Sequence, residues 1–216
     1  MALGPSLGNM PELPEVETVR QGLERTLVGK KIRDADFRRK DLRFPFPKGL
    51  PSLLSGRTIE AIDRRAKYLL IRLDSKKTLL CHLGMSGRWT VVGSGIRDTP
   101  GRFVNGASIG TGEGPHDWVV IHLEDETMAV YSDHRRFGFM DFFSDSDEEN
   151  HKMLCKLGPE PTPNHLTPSD LAEKLRGRKT PIKSALLDQR TVAGLGNIYV
   201  CEILFRAHVS PKRKAS

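Results

Sequence analysis

No stretch of this chain holds the roughly 20 consecutive apolar residues that a membrane-spanning helix requires. The opening MALGPSLGN has neither a basic start nor a sustained apolar run, so it does not read as a signal peptide. Cysteine is scarce. Cys81, Cys155 and Cys201 lie far apart and form no CxxC pair, which leaves no visible zinc finger and no disulfide framework. These three thiols are expected to be reduced and mostly buried in apolar surroundings, in a soluble intracellular protein.

Positive charge is in excess: Lys and Arg number 34 against 27 Asp and Glu, for a net charge of +7 and a pI near 9.4. An anionic partner follows, nucleic acid first and an anionic membrane surface as the rival. The charge is also uneven. From Lys174 to Ser216 there are ten Lys or Arg against Asp188 and Glu202, and from Lys30 to Lys48 eight against three. Two basic faces on two domains suggest a cleft able to hold a duplex.

At 216 residues the chain suits one large or two modest domains, and its patterning favours two. Val16, Val19, Leu23 and Leu27 recur at helical spacing behind Pro14, with Gly29 placed to end the helix. Strand-like pieces follow at 31–37, 58–63, 68–73, 78–82, 89–92, 118–123, 128–132 and 137–143, as in a β-sandwich or barrel. The glycine-rich segment from Gly93 to Asp117 reads as a long exposed loop. After Ser144 come an acidic patch, SDSDEENHK, and a proline-rich linker, LGPEPTPNHLTPSD. The linker ends in a helix start with Thr167 as N-cap and Pro168 at the first helical position. Helical patterns then occupy 169–175, 181–187 and 198–205. The fold class expected is α+β: a terminal extension over residues 1–10, a β-sandwich with its own helix over 11–144, a linker over 145–166 and a helical domain over 167–216.

Five short stretches carry chemistry. In NMPELPEVETVR, a chain starting at Met10 would expose Pro11 once the methionine is removed. An α-amino group has a pKa of roughly 7.7–8, so a fraction of such a proline is neutral and nucleophilic near neutral pH. Attack on an aldehyde-like carbon gives an iminium, an electron sink for elimination, and Glu12 beside it could move the protons. The plainer reading is that Pro11 and Pro14 start a helix. In RRAKYLL, Lys67 stands at a strand entrance, either reaching a phosphate or reacting base or lying solvated at the sheet edge. HLGMSGRW forms a turn with Met85 at its tip, a wedge between bases or a residue folded back on the sandwich. In DHRRFGF, Arg135 and Phe137 suit a gap in a base stack; otherwise the arginines pair with Asp133 and the ring is core. In AGLGNIYVCEILF, Asn197 begins a helix whose N-terminus can face an anion, although ordinary helix caps look much the same.

In this order, MPELPEVETVRQGL, RRAKYLL, HLGMSG, DHRRFGF and AGLGNIYVCEILFRA closely resemble the bacterial formamidopyrimidine-DNA glycosylases, base-excision repair enzymes for 8-oxoguanine and ring-opened purines. The resemblance runs from Met10 to about Pro211. It implies a β-sandwich followed by a helix–two-turn–helix domain, with double-stranded DNA containing oxidised bases as partner, a monomer, and a place in the bacterial cytoplasm with the nucleoid. It implies Pro11 as the nucleophile that forms a Schiff base at the sugar C1′, Glu12 as the carboxylate assisting base loss and ring opening, and Lys67 as a catalytic lysine. Glu15 resembles an acidic residue near the active site. His82, Asn197 and Lys183 in TPIKSALLDQ match phosphate contacts or cleft lysines, and Met85, Arg135 and Phe137 match residues inserted where a nucleotide is flipped out. The implied reaction is glycosidic cleavage followed by β- and δ-elimination, without cofactor. Two features depart from the family: the four-cysteine zinc finger has no counterpart in this sequence, and Met1–Asn9 precede the motif. They leave two other readings, a DNA-binding protein without catalysis and an endonuclease VIII-like enzyme for oxidised pyrimidines.

Overall fold

The computed structural model describes residues 10–93, 96–101 and 110–216; the segment Met1–Asn9 therefore lies outside the described residues. The chain divides into two compact units, Met1–Asp147 and Glu148–Ser216.

The first unit opens with helix α1 (Leu13–Leu27). Glu12 is its N-cap, Pro14 sits in the first turn where an N–H is not needed, and Gly29, at φ +83°, lies just beyond the C-cap Val28. Its apolar stripe, Val16, Val19, Leu23 and Leu27, is fully buried. At about 1.5–3 kcal/mol per large aliphatic side chain, this burial outweighs the propensity cost of the valines.

The stripe packs on two antiparallel sheets. Strands β1 (Ile32–Phe37), β5 (Arg88–Gly93), β6 (Ile96–Asp98), β7 (Asp117–Leu123) and β8 (Met128–Ser132) form one, in the order β1-β7-β8-β5-β6. Strands β2 (Ile59–Arg65), β3 (Tyr68–Leu73), β4 (Lys77–His82) and β9 (Phe139–Ser144) form the other, in the order β2-β3-β4-β9. Alternate residues of both sheets, among them Ile62, Ile71 and Cys81 from one and Trp89, Val119, Ile121 and Tyr131 from the other, join the α1 stripe in a single core. That shared interior makes the unit a β-sandwich with an N-terminal helix.

One element lies outside the patterns read from sequence: a short helix α2 (Leu50–Leu54) buries Leu50 and Leu54, and a single turn is too short to show a helical period. Two expectations need correction. The loop from Gly93 to Asp117 is not wholly irregular, since β6 pairs with β5 within it; residues 94–95 and 102–109 lie outside the described residues. Phe137 and Gly138 are not strand: β9 begins at Phe139.

In the second unit, Thr167 caps α3 (Pro168–Leu175) through a capping box with Asp170. Helices α4 (Ile182–Leu187) and α5 (Asn197–Arg206) follow, and Ile182, Leu186, Val192, Leu195, Val200 and Leu204 form a separate small core. Among the described residues no helix is long and apolar enough to cross a membrane.

Candidate active site

Glu12 is only 2% exposed, far less than a carboxylate normally tolerates without a charge partner. As N-cap it forms a capping box with Glu15, whose Oε2 accepts the Glu12 N–H at 3.1 Å. Pro11, half-buried, immediately precedes this cap.

Lys67 is the opposing charge. It occupies the two-residue turn between β2 and β3, where Arg65 pairs with Tyr68 and Ala66 takes a positive φ of 53°. Arg64 ties that turn to α1: its Nε donates to Glu17 Oε2 at 2.8 Å and its Nη1 to the Ala66 carbonyl at 3.1 Å. The lysine is thereby buried to 5% exposure, which corrects the alternative of a solvated edge charge. Burial pulls its pKa below the ordinary lysine value, while the charges of Glu12 and Glu15 hold it up. The ammonium therefore sits within electrostatic reach of both carboxylates, the first of which directly follows Pro11 in the chain. A proline, two carboxylates and a lysine of lowered pKa form one cluster.

His82 extends the cluster. The ring stacks on Phe139 at 5.3 Å between centroids and lies 5.1 Å from Tyr68. Burial first, then the Lys67 and Arg43 cations, push its pKa down from about 6.5 to about 4. Its Nδ1 accepts the Gly84 N–H at 3.1 Å, which places the single proton of the neutral ring on Nε2. His82 is a neutral donor rather than a cation.

A stability consequence follows. The unfolded chain takes up the proton near pH 6.5 and the folded chain only near pH 4. His82 thus contributes stability that is complete above about pH 6.5 and lost as pH falls toward 4, about 2–4 kcal/mol in all. In His82→Asn an amide oxygen replaces Nδ1 as acceptor. We expect its urea-unfolding stability, lower at pH 7, to decline less than that of the wild type between pH 7 and pH 4.5; parallel declines would show that His82 does not titrate in this way.

The His82–Gly87 turn and the 133–138 loop are one construction. The fully buried Asp133 carboxylate accepts the Ser86 hydroxyl and, at 2.8 Å, the Gly138 N–H, while Ser86 Oγ accepts the Arg135 N–H at 3.1 Å. This overturns the alternative that Asp133 serves to pair the arginines and that Phe137 is core. Phe137 is 44% exposed, with the Arg135 guanidinium 4.8 Å over its ring, and Met85 is half-buried on the adjoining turn.

In the second unit, Lys183 Nζ donates to Cys201 Sγ at 3.3 Å, and Cys201 lies 3.8 Å from Asn197 Oδ1, so α4 and α5 present Lys183 and Asn197 on one face. Gln189 sets the approach to α5, donating to the Leu187 and Leu195 carbonyls and accepting the Gly194 N–H at 2.9 Å. Cys155 and Cys201 are exposed and only Cys81 is buried, against the expectation of mostly buried thiols.

Two family models cover most of the chain: the formamidopyrimidine-DNA glycosylase N-terminal domain matches residues 10–140 and the formamidopyrimidine-DNA glycosylase H2TH domain matches residues 157–216. This chain belongs to the formamidopyrimidine-DNA glycosylase family. It is 50% identical over 209 residues to the formamidopyrimidine-DNA glycosylase of Rhizobium etli (strain CIAT 652), covering 95% of this chain and 70% of the relative. The same figures for identity and coverage hold, over 206 residues, for that of Ruegeria pomeroyi. Among solved structures, a complex of the Lactococcus lactis Fpg with DNA containing an abasic site matches with a TM-score of 0.79 at 34% identity, covering 94% of this chain and 69% of that one. A complex of a variant of that protein with Fapy-dG-containing DNA matches with the same TM-score at 35% identity, covering 95% and 70%.

Among the described residues no three His, Cys, Asp or Glu are grouped to hold a metal. Sequence reading also passed over Arg43, Tyr68 and Phe139 around His82, and Asp133 as the organiser of the loop. The run LRFPFP, with aromatics between prolines inside a basic stretch, was the available signal for Arg43.

Proposed function

We propose that this chain is a base-excision DNA glycosylase with abasic-site lyase activity, acting on oxidised purines in double-stranded DNA. The observation that carries the reading is the burial of Glu12 and Lys67 together at the end of α1, next to Pro11. A buried carboxylate and a lysine of lowered pKa beside a proline make an acid–base pair around a nucleophile once that proline is an N-terminus.

In the proposed reaction the Pro11 nitrogen attacks C1′ of the damaged nucleotide, the glycosidic bond breaks, and the base leaves with a proton. The ring oxygen then departs, protonated with help from Glu12, and the C1′–nitrogen bond becomes an iminium. Loss of a C2′ proton expels the 3′ phosphate, and a second elimination expels the 5′ phosphate. Amine and carboxylate groups suffice for these steps without redox cofactor or metal. Met85, Arg135 and Phe137, on two loops held together by Ser86 and Asp133, are suited to fill the stack emptied by the flipped nucleotide, offsetting an unstacking cost of a few kcal/mol. Lys183 and Asn197 of the second unit supply phosphate contacts.

The sequence motif PELPE, the 50% identity to named formamidopyrimidine-DNA glycosylases and the match to a Fapy-dG complex support a purine substrate over the pyrimidine reading. The test is cleavage of matched duplexes carrying 8-oxoguanine or thymine glycol by chain that starts at Pro11. We expect 8-oxoguanine to be cut at least tenfold faster. A reversed preference would establish the pyrimidine class, and binding without cleavage of either would establish a non-catalytic DNA-binding protein.

A further inference from the structure

Arg43 sits in the loop between β1 and α2, outside every motif considered above, yet its backbone is anchored to the centre of the site. Its N–H donates to the Gly138 carbonyl at 3.0 Å, the residue that follows Phe137. The loop is closed on itself: Leu42 N–H reaches the Phe44 carbonyl at 3.1 Å, Phe46 N–H the Lys40 carbonyl at 3.0 Å, and Asp41 bridges Pro45. Leu42 is buried as its plug. Phe44 packs edge-on against Phe139 at 5.3 Å, and Phe139 in turn stacks on His82, so the loop adjoins the histidine through a continuous aromatic row.

The Arg43 side chain lies along the outside of this row, its guanidinium 5.4 Å from the Phe44 ring centroid. Its charge acts on both His82 and Tyr68, adding to the fall that burial causes in the His82 pKa and opposing the rise that burial causes in that of Tyr68. Acting on His82, then, are two cations, Lys67 from the β2–β3 turn and Arg43 from this loop, with the Tyr68 ring 5.1 Å away; Glu12 and Glu15 act in turn on Lys67. Arg43 is exposed and fork-shaped, on a braced backbone. His82 Nε2–H supplies a directed but uncharged donor beside it.

We propose that Arg43 is a further DNA-binding residue, the charged partner of the neutral His82 at one backbone phosphate next to the active site. The division of labour is specific: the arginine neutralises the phosphate and the histidine orients it. This rests on the DNA-binding part of the proposed function but not on the glycosylase chemistry.

The experiment measures binding of an undamaged duplex as a function of salt, for wild type, Arg43→Gln and His82→Asn. Each neutralised phosphate contributes a slope of about −0.9 in log K against log salt. Arg43→Gln should lose about that much slope, so the deficit in its affinity shrinks about 3.5-fold between 50 and 200 mM salt. His82→Asn should bind more weakly with an unchanged slope. A scan of duplexes with single methylphosphonate linkages should find one position that weakens the wild type several-fold and leaves Arg43→Gln unaffected. The His82 NMR titration midpoint should also rise in Arg43→Gln, confirming that the two side chains face one another in the free protein. An unchanged slope for Arg43→Gln with a normally binding wild type would overturn the Arg43 site alone. Absence of salt-dependent binding by the wild type would overturn both this site and the DNA-binding reading beneath it.

Discussion

Replacing Glu12 by Gln is expected to slow base excision by roughly 10²–10⁴-fold while leaving the fold and duplex affinity almost unchanged. Glutamine has the same shape and keeps an oxygen for the helix cap, so the capping box around Glu12 and Glu15 survives the change. What it loses is the ability to give and take a proton at a site almost closed to water. It also removes one of the two negative charges that hold the Lys67 ammonium protonated, so the lysine pKa falls further. Glu15→Gln makes the comparison sharp: the Glu15 carboxylate is engaged with the Glu12 N–H, and its loss should cost excision much less. Single-turnover excision, thermal melting and duplex affinity, measured side by side, check this. Equal loss in the two variants, or none in Glu12→Gln, would remove Glu12 from the proton-transfer role.

The second large effect is expected at Gly84. Its φ of +63° is a left-handed conformation that costs a side-chain-bearing residue about 1 kcal/mol or more. A Cβ there would also stand 2.4 Å from the Gly138 nitrogen and the Phe137 carbonyl carbon, both backbone atoms that cannot swing aside. Gly84→Ala must therefore push the His82–Gly87 turn away from the 133–138 loop. We expect destabilisation of about 2–4 kcal/mol, combining the strained backbone with overpacking, and loss of most excision because Met85 and Phe137 no longer share a face. Gly29→Ala is the control, with φ +83° and nothing within 4 Å of its Cβ. It should cost about 1 kcal/mol and leave excision intact. Urea unfolding of both variants decides the matter; equal destabilisation would show that the loop contact is not tight.

The two substitutions mark how far sequence reading reaches. The frame was legible because its signals are local: the stripe Val16–Val19–Leu23–Leu27 on α1 and the short apolar runs of β7 and β8 need no knowledge of distant residues. Glu12, Lys67, His82 and the loop residues were found from motif resemblance, and their identities carried that reading. Their environments were not legible. In sequence Lys67 suits a solvated edge charge as well as a reacting one; its near-complete burial accompanies the tie of its turn to α1 through Arg64 and Glu17, 47 residues apart. The neutrality of His82 depends first on its burial and then on Lys67 and Arg43, the last a residue that sequence shows only as one cation in a basic run. Pairing with its neighbouring arginines was one of two readings open for Asp133, which closes a loop against Ser86 on another turn. Local pattern cannot encode such meetings, which the sandwich creates by bringing β4, β9 and their connecting turns side by side.

The proposed chemistry stands or falls with Pro11 as the nucleophile. The direct measurement is borohydride trapping on a duplex containing 8-oxoguanine, comparing chain that starts at Pro11 with the same chain still carrying Met10, followed by mass mapping of the adduct. A secondary amine can form the iminium and an amide nitrogen cannot. With Pro11 as nucleophile, a covalent protein–DNA adduct maps to Pro11 in the first and none is found there in the second; no adduct from the Pro11-terminal chain, or one mapped to another residue, would remove Pro11 from that role.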